Sequence, residues 1–303
     1  MDLIRLKMLR ELSRCGTMAA AADALCLSPS AVSQQIAQLE IEAGVALTER
    51  VGRGVRLTPA GLALVGHAER VMVVLDEAKS EMAQLRREIA GELRVAAFPS
   101  IASAVMPQTI MALRTVFPRL HISLDEMEPI DGLAALRSWR ADIALIDDLS
   151  AVADGRPASG ISRIRLTEDV LYALVPARHA LARRRFLSVS DLKQEFWALD
   201  STSSAYGDFI LNLCRRNGFE PRLNASCKGF EMVAAMVASG CSVSVAPGLR
   251  VTRKLDGIRA IALRPEARRR ISVAYRSGEK EHPAVKVFVE ELVRVAAALP
   301  AGD

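Results

Sequence analysis

The chain has 303 residues, which at roughly 100 to 200 per domain allows two or three domains, each able to bury its own core without a disulfide or metal staple. Half of the residues are hydrophobic and a quarter charged, with Gly 18 and Pro 13, a profile that excludes disordered and collagen-like chains. The net charge of +5 does not mark a basic N-terminal head, because residues 1–58 hold 7 basic and 6 acidic side chains while residues 161–265 hold 16 and 9.

Leu3, Leu6, Leu9 and Leu12 recur every third residue ahead of Gly16, which reads as an amphipathic helix closed by glycine. A second helix covers the Ala-rich stretch containing Ala22 and Leu25. Ser28 then stands as an N-cap with Pro29 at the first helical position, opening a third helix to about Ala43 that buries Val32, Ile36 and Leu39. Two short helices joined by a tight turn, the second well capped, make a helix-turn-helix. Its other face carries Ser28, Ser30, Ser33, Gln34 and Gln38 near the helix N-terminus, the end that enters a DNA major groove in this motif. Residues 1–97 contain no Phe, Tyr or Trp, so the head has no stacking platform for unpaired bases.

Leu47–Arg50 and Val55–Thr58 flank Val51-Gly52-Arg53-Gly54, a hairpin that presents Arg53 between Arg50 and Arg56 as a wing beside the helices. Thr58 and Pro59 cap the next helix, along which Leu64, Ala68, Val71, Leu75, Ala78, Met82, Leu85 and Ile89 alternate spacings of 4 and 3 up to Gly91. Such a seam predicts pairing with another helix, Leu64, Val71, Leu75, Met82 and Leu85 being its dimerisation residues.

At this point the chain resembles the LysR-type transcriptional regulators. The likeness is carried by Ala21-Ala22 with Leu25, SPSAVSQQIAQLE from Ser28 to Glu40, Gly44-Val45, Leu47, Arg50, and GRGVRLTPAG from Gly52 to Gly61. The resemblance implies a DNA-binding winged helix-turn-helix over residues 1–58 and a linker and dimerisation helix over 59–90. Met8, Met18 and Thr48 depart from it, standing where the family has Phe in core positions.

From Glu92 strands alternate with helices, predicting a parallel α/β sheet. The expected strands include LRVAAF, HISLDEME, ADIALID, RIRLTEDVLYALVP, WALD, VSVA and ISVAYR. Helices are expected from Pro99 to about Phe117, Asp131 to Trp139, after Ser203-Ser204, Phe230 to Ala238 and Pro283 to Ala298. VPARHALARR, FLSVSDL and ASGCSVSVAP resemble recurring segments of the same family's effector domain, implying two lobes of the periplasmic solute-binding-protein fold. Residues 91–303 form this domain, with lobe I at 91–160 and 266–303 and lobe II at 161–265.

Ser100-Ile101 and Thr202-Ser203-Ser204 each precede a helix, so hydroxyls and free backbone N–H groups there can converge on an anion. In the family, positions matching Ser100, Thr202, the strand end at Asp147 and the turn near Phe230 line an effector pocket. A small organic acid or amino acid is the expected ligand, although Asp147 and Asp148 suit an amine and leave its charge open. The expected partners are double-stranded DNA, the effector, a second copy in a homodimer or homotetramer, and RNA polymerase.

Several classes are set aside. The charge-free stretch Met232–Leu249 is interrupted by Gly240, Ser242, Ser244 and Pro247, so no membrane partner is expected. The N-terminus has no apolar core behind its charges, making the cytoplasm the expected compartment. Five cysteines without a C-x-x-C pair and four scattered histidines write no metal or cofactor site. No G-x-S-x-G, G-x-G-x-x-G, H-E-x-x-H or phosphate-binding loop is present, which argues against an enzyme. A cytoplasmic small-molecule-binding protein without a DNA-directed role is the competing reading.

Overall fold

The computed structural model describes residues 1–51, 54–86, 89–149, 160–200, 205–251 and 255–299. Helix α1 (Leu3–Cys15) is capped by Asp2 and ends at Gly16, φ 73°. α2 (Met18–Leu25) begins at Thr17, whose hydroxyl accepts from the Ala20 N–H. α3 (Pro29–Ala43) starts as the sequence predicts, with the Ser28 hydroxyl accepting from the Ala31 N–H and Pro29 in the first turn. A hairpin follows, β1 (Thr48–Val51) against β2 (Gly54–Leu57), with Glu49 opposite Arg56.

Leu6, Leu9, Leu12, Val32, Ile36, Leu39 and Leu47 form the core of this head, together with Val65, Ala68 and Met72 of α4 (Pro59–Gln84). Met8 lies in that core, as expected for its position. Thr48 does not, because its hydroxyl and N–H both donate to the Glu40 carboxylate at 2.9 and 2.8 Å, so a polar bond replaces aromatic packing. Gly61 lets the hairpin meet α4, since a Cβ there would lie 2.2 Å from the Leu47 carbonyl oxygen.

The long helix is shorter than its apolar pattern. It ends at Gln84, with Leu85 as cap, so the seam does not continue helically to Ile89. The chain instead turns, the Leu85 N–H donating to the Glu81 carbonyl and Arg86 to Ala83, before β3 begins at Gly91.

β3 (Gly91–Ala97), α5 (Pro99–Val116), β4 (Leu120–Glu126), α6 (Pro129–Arg137) and β5 (Ile143–Asp147) build a first lobe in which β3 runs parallel to β4 and β5. β6 (Ile161–Pro176) then leads to a second lobe of β7 (Phe186–Leu187), β8 (Phe196–Asp200), α7 (Ala205–Arg216), β9 (Arg222–Cys227), α8 (Phe230–Ala238), β10 (Ser244–Pro247), α9 (Gly248–Val251) and β11 (Ile258–Leu263). The chain returns along β12 (Arg268–Arg276) and closes with α10 (Pro283–Ala297). The first lobe's core holds Val95, Ile101, Val105, Met106, Val273, Phe288 and Leu292; the second's holds Leu171, Val175, Trp197, Ile210 and Val245.

The main sheet has the order β4-β3-β5-β12-β6-β11-β7, with β10 also on β6. It is mixed, not parallel throughout, because β12 is antiparallel to both β5 and β6. The reason is connectivity: the chain leaves the first lobe along β6 and comes back along β12. The expected crossing near 161 also moves, because Ile161–Val170 still pairs with β12 while Leu171–Pro176 pairs with β10 and β11. One strand thus belongs to both lobes and changes partners at Val170–Leu171.

The head docks on the first lobe. Trp139, a non-glycine residue at φ 59°, lies against Lys7 and Arg10 of α1 at 4.3 and 4.6 Å from ring centre to charge, and donates its indole N–H to Asp76 of α4 at 3.1 Å. Ser80 donates to the Gly278 carbonyl at 3.0 Å. Gly278 is required there, since a Cβ would come within 2.6 Å of the Val73 carbonyl oxygen.

Candidate functional site

The structure leaves the head's described candidate residues exposed. Pro29, Ser30, Ser33, Gln34 and Gln38 are exposed on α3, opposite the buried Val32, Ile36 and Leu39. Gln35, on the same helix, accepts from Arg5 at 2.9 Å and is tied into the head. Ser28 is exposed, but its oxygen is engaged as the cap and lies 3.0 Å from the Ser30 hydroxyl, so it shapes the helix start. In the hairpin, Arg50 is exposed, while Arg56 reaches across the strands to Glu49 at 2.7 and 2.9 Å. That pair is solvent-exposed and weak, so it can exchange for a phosphate. Arg53 lies outside the described residues.

Along α4 the apolar residues divide between two faces. Val65, Ala68 and Met72 are buried against the head, continued by Asp76 and Ser80 against the first lobe. Of the expected dimerisation residues, Val71 and Met82 are 48% and 57% exposed, Leu64 and Leu75 are half-buried, and Leu85 caps the helix end at 77%. Val74, 61% exposed, widens the stripe. The heptad pattern located the open stripe but did not separate Ala68 from it.

A cleft of about 50 Å³, room for a few waters, lies between the lobes. Ser100, Asp147 and Phe230 line it as expected. Ile101 does not, because its side chain is wholly inside the first lobe's core. Thr202 and Ser203 lie outside the described residues. The lining further includes Phe98, Glu128, Asp200, Tyr206, Arg250 and Arg269, which the sequence reading missed.

Arg269 organises this cleft. It lies on β12 directly opposite Asp169 of β6, one step before β6 changes lobes, and both side chains are about fully buried. Its Nε and one terminal nitrogen reach one Asp169 oxygen at 3.0 and 2.7 Å, and that terminal nitrogen also donates to the Ser100 hydroxyl at 2.6 Å. The other terminal nitrogen lies 3.5 Å from Asp147. Phe98 and Tyr206 flank the guanidinium with ring centres at 4.9 and 5.8 Å. The second Asp169 oxygen accepts from the Leu249 N–H at the start of α9, at 3.0 Å. Residues of both lobes therefore meet on one ion pair. The available signal was period two along Arg268-Arg269-Arg270, which turns the middle arginine to the face opposite its neighbours.

Two further lining groups, Glu128 and Asp200, are acidic. Asp200 accepts from the Gly229 N–H at 2.9 Å. Burial pushes the Glu128 carboxyl above its ordinary value, helped by the nearby Asp147 and Asp200. Tyr206 donates to the Val245 carbonyl at 2.9 Å, and burial pushes its phenol up, so it stays a neutral donor.

A family model described as the bacterial regulatory helix-turn-helix protein, lysR family, matches residues 3–62, and one described as the LysR substrate binding domain matches residues 86–297. The transcriptional dual regulator GltC of Bacillus subtilis (strain 168) is 28% identical over 218 residues, 72% of this chain and 71% of GltC. The DNA-binding transcriptional dual regulator OxyR of Escherichia coli (strain K12) is 28% identical over 261 residues, 85% of this chain and 84% of OxyR. Among solved structures, a full-length OxyR variant from Pseudomonas aeruginosa superposes with a TM-score of 0.66 at 22% identity, covering 100% of this chain and 99% of that one. Full-length CbnR in complex with its target DNA gives 0.54 at 25% identity, covering 98% and 100%.

Proposed function

The chain belongs to the LysR family of bacterial regulators, and on that premise we propose that it couples a small molecule held between its lobes to its grip on paired DNA half-sites. At the family level it is a DNA-binding transcriptional regulator with an effector-binding domain. The observation that carries the finer reading is the exposed polar face of α3 beside the basic hairpin. In this reading Ser30, Ser33, Gln34 and Gln38 face base edges, Ser28 and Pro29 set the helix start, and Arg50, Arg53 and Arg56 hold phosphates or the minor groove.

Two heads are joined through the exposed stripe of α4, and a tetramer forms through the effector domains. Residues 1–58 act as the DNA-binding head, α4 as the linker, and the two lobes as the sensor, with β6 and β12 as the hinge. Effector binding changes the lobes' relative position and the spacing of the heads, which requires different affinity in the two states. The protein works with DNA and RNA polymerase in the cytoplasm as a regulator without catalytic turnover, in keeping with relatives named as transcriptional regulators. No helix among the described residues is long and apolar enough to cross a membrane.

Some relatives are named hydrogen peroxide-inducible genes activators. The two buried thiols do not suit that chemistry, since burial pushes Cys214 up to about 12 and raises Cys227, opposite to the thiolate character that peroxide requires, whereas Cys26 and Cys241 are exposed.

Footprinting of purified protein on duplex DNA from around its own gene, and on fragments enriched from the genome, tests the reading at two salt concentrations. A protected dyad that weakens with salt is expected. Failure to enrich or protect any dyad would overturn it.

A further inference from the structure

The site itself constrains the ligand, and this step rests on the effector-cleft reading above. Four carboxylates, Glu128, Asp147, Asp169 and Asp200, line or back the cleft, against two guanidinium groups, Arg250 and Arg269. They come from separate elements of both lobes, so the excess of negative charge belongs to the cleft and not to one acidic loop.

Arg269 looks at first like the anchor for an organic acid. Its geometry removes it from that role. Both nitrogens on one edge are bonded to Asp169, one of them also to Ser100, and the remaining nitrogen faces Asp147. Phe98 and Tyr206 lie against the guanidinium. An incoming carboxylate could meet only the terminal nitrogen that faces Asp147, and there it would stand against that aspartate's own charge unless it displaced it.

What remains directed at the cleft is Glu128 and Asp200, with Asp147 between lobes and Arg250 near Phe230, its charge 5.6 Å from the ring centre. Mutual repulsion among the three carboxylates is visible in Glu128, whose raised pKa is caused by burial and then by Asp147 and Asp200. An anion would add to this repulsion. A cationic group with N–H donors would relieve it and supply charge-assisted hydrogen bonds in a half-desolvated site.

We infer that the cleft recognises an organic cation bearing N–H donors, an alkylammonium or a guanidinium, through Glu128 and Asp200, with Asp147, already facing Arg269, adding only to the negative field, and that a simple organic acid is not its effector. Of the two ligand classes expected from the sequence, an organic acid and an amino acid, only the amino acid carries such a group. In an amino acid, Arg250 is the guanidinium left to meet the carboxylate. The cleft's small volume admits the cationic head, and the rest of a larger ligand reaches the mouth or moves the lobes about the β6 and β12 hinge.

The test is titration calorimetry on the full chain with putrescine, agmatine and L-arginine, set against succinate and against choline, which is cationic but lacks N–H donors. Binding by at least one of the first three, and none by succinate or choline, is expected. Glu128→Gln and Asp200→Asn should each weaken that binding about tenfold or more, as removal of a charged hydrogen-bond partner does. Glu128→Gln should also raise the unliganded thermal midpoint by relieving repulsion, a readout independent of the ligand. Binding of succinate, failure of all three N–H cations at millimolar concentration, or cation binding indifferent to both variants would each overturn the inference. Footprinting of the same preparation separates the two readings: a dyad-protecting protein that takes succinate keeps the regulator and loses the cation.

Discussion

The Asp76 carboxylate of the linker helix lies 3.3 Å from the Arg276 guanidinium at the end of β12, both side chains buried. Around them Trp139 donates to Asp76, and Arg276 donates to the carbonyls of Leu136 and Ala141 and to Asp142 and Glu279. The two strands that meet this junction at one end reach the cleft at the other. β5 runs from Ile143, next to Asp142, to Asp147, and its partner β12 runs back from the cleft residue Arg269 to Arg276. Cleft and linker therefore sit at opposite ends of one strand pair.

Removal of Asp76 should open the junction. Asp76→Ala leaves Arg276 short of one counter-charge and Trp139 without its acceptor, a loss of about 3 kcal/mol by analogy with broken buried pairs. Urea unfolding measures the loss, and Trp139 emission should shift to the red as its N–H meets water. An unchanged midpoint and spectrum would show that the pair does not hold the linker.

Glu279 makes the junction sensitive to pH. Burial pushes its carboxyl up to about 7 despite Arg276 at 2.6 Å, with Asp76 and Asp142 adding to the rise. A folded value above the ordinary 4.5 means its contribution is full below about 4.5 and is lost as the pH climbs through about 7. His282, its pKa lowered by burial, works in the other sense, its contribution being lost as the pH falls. Comparison with Glu279→Gln isolates the glutamate: a gap between the midpoints of variant and parent that is smallest at pH 4 and shifts in the variant's favour by pH 8 is expected.

The two faces of α4 should respond differently to charge. Val71→Glu combined with Met82→Glu places carboxylates on the exposed stripe and should lower the mass in light scattering without loss of helical signal. Met72→Glu, one position away from Val71, buries an unpaired charge in the head core and should unfold the head. An unchanged mass for the first variant would sink the proposed dimer stripe.

At the DNA face, Gln34→Ala should change base preference at a cost of about 1 to 3 kcal/mol for the base it reads. Arg50→Ala should weaken binding on all sequences and reduce the salt slope by about one. Arg56→Ala should have a smaller effect, since Arg56 already shares its charge with Glu49. Binding selections at several salt concentrations distinguish the three.

Much of this protein is local enough to read from the chain. Ser28 with Pro29 and Thr58 with Pro59 place helix starts because a cap acts on backbone N–H groups only three residues away, and the structure shows both. The buried Val32, Ile36 and Leu39 follow from helical period, which also turns Gln34 and Gln38 outward. Asp147 and Phe230 reached the cleft as expected because element ends collect at that edge of the sheet.

The rest depended on partners distant in sequence. Period alone shows that α4 has apolar residues, but burial of Ala68, Asp76 and Ser80 was decided by what packs against them, the head and the first lobe. Ile101 follows Ser100 by one residue, yet helix geometry sends one to the core and the other to the cleft. Arg269 and Asp169 are ordinary charged residues until β12 returns beside β6 and buries them opposite each other; that pairing, made only by the tertiary fold, turns an apparent anion site into an acidic one.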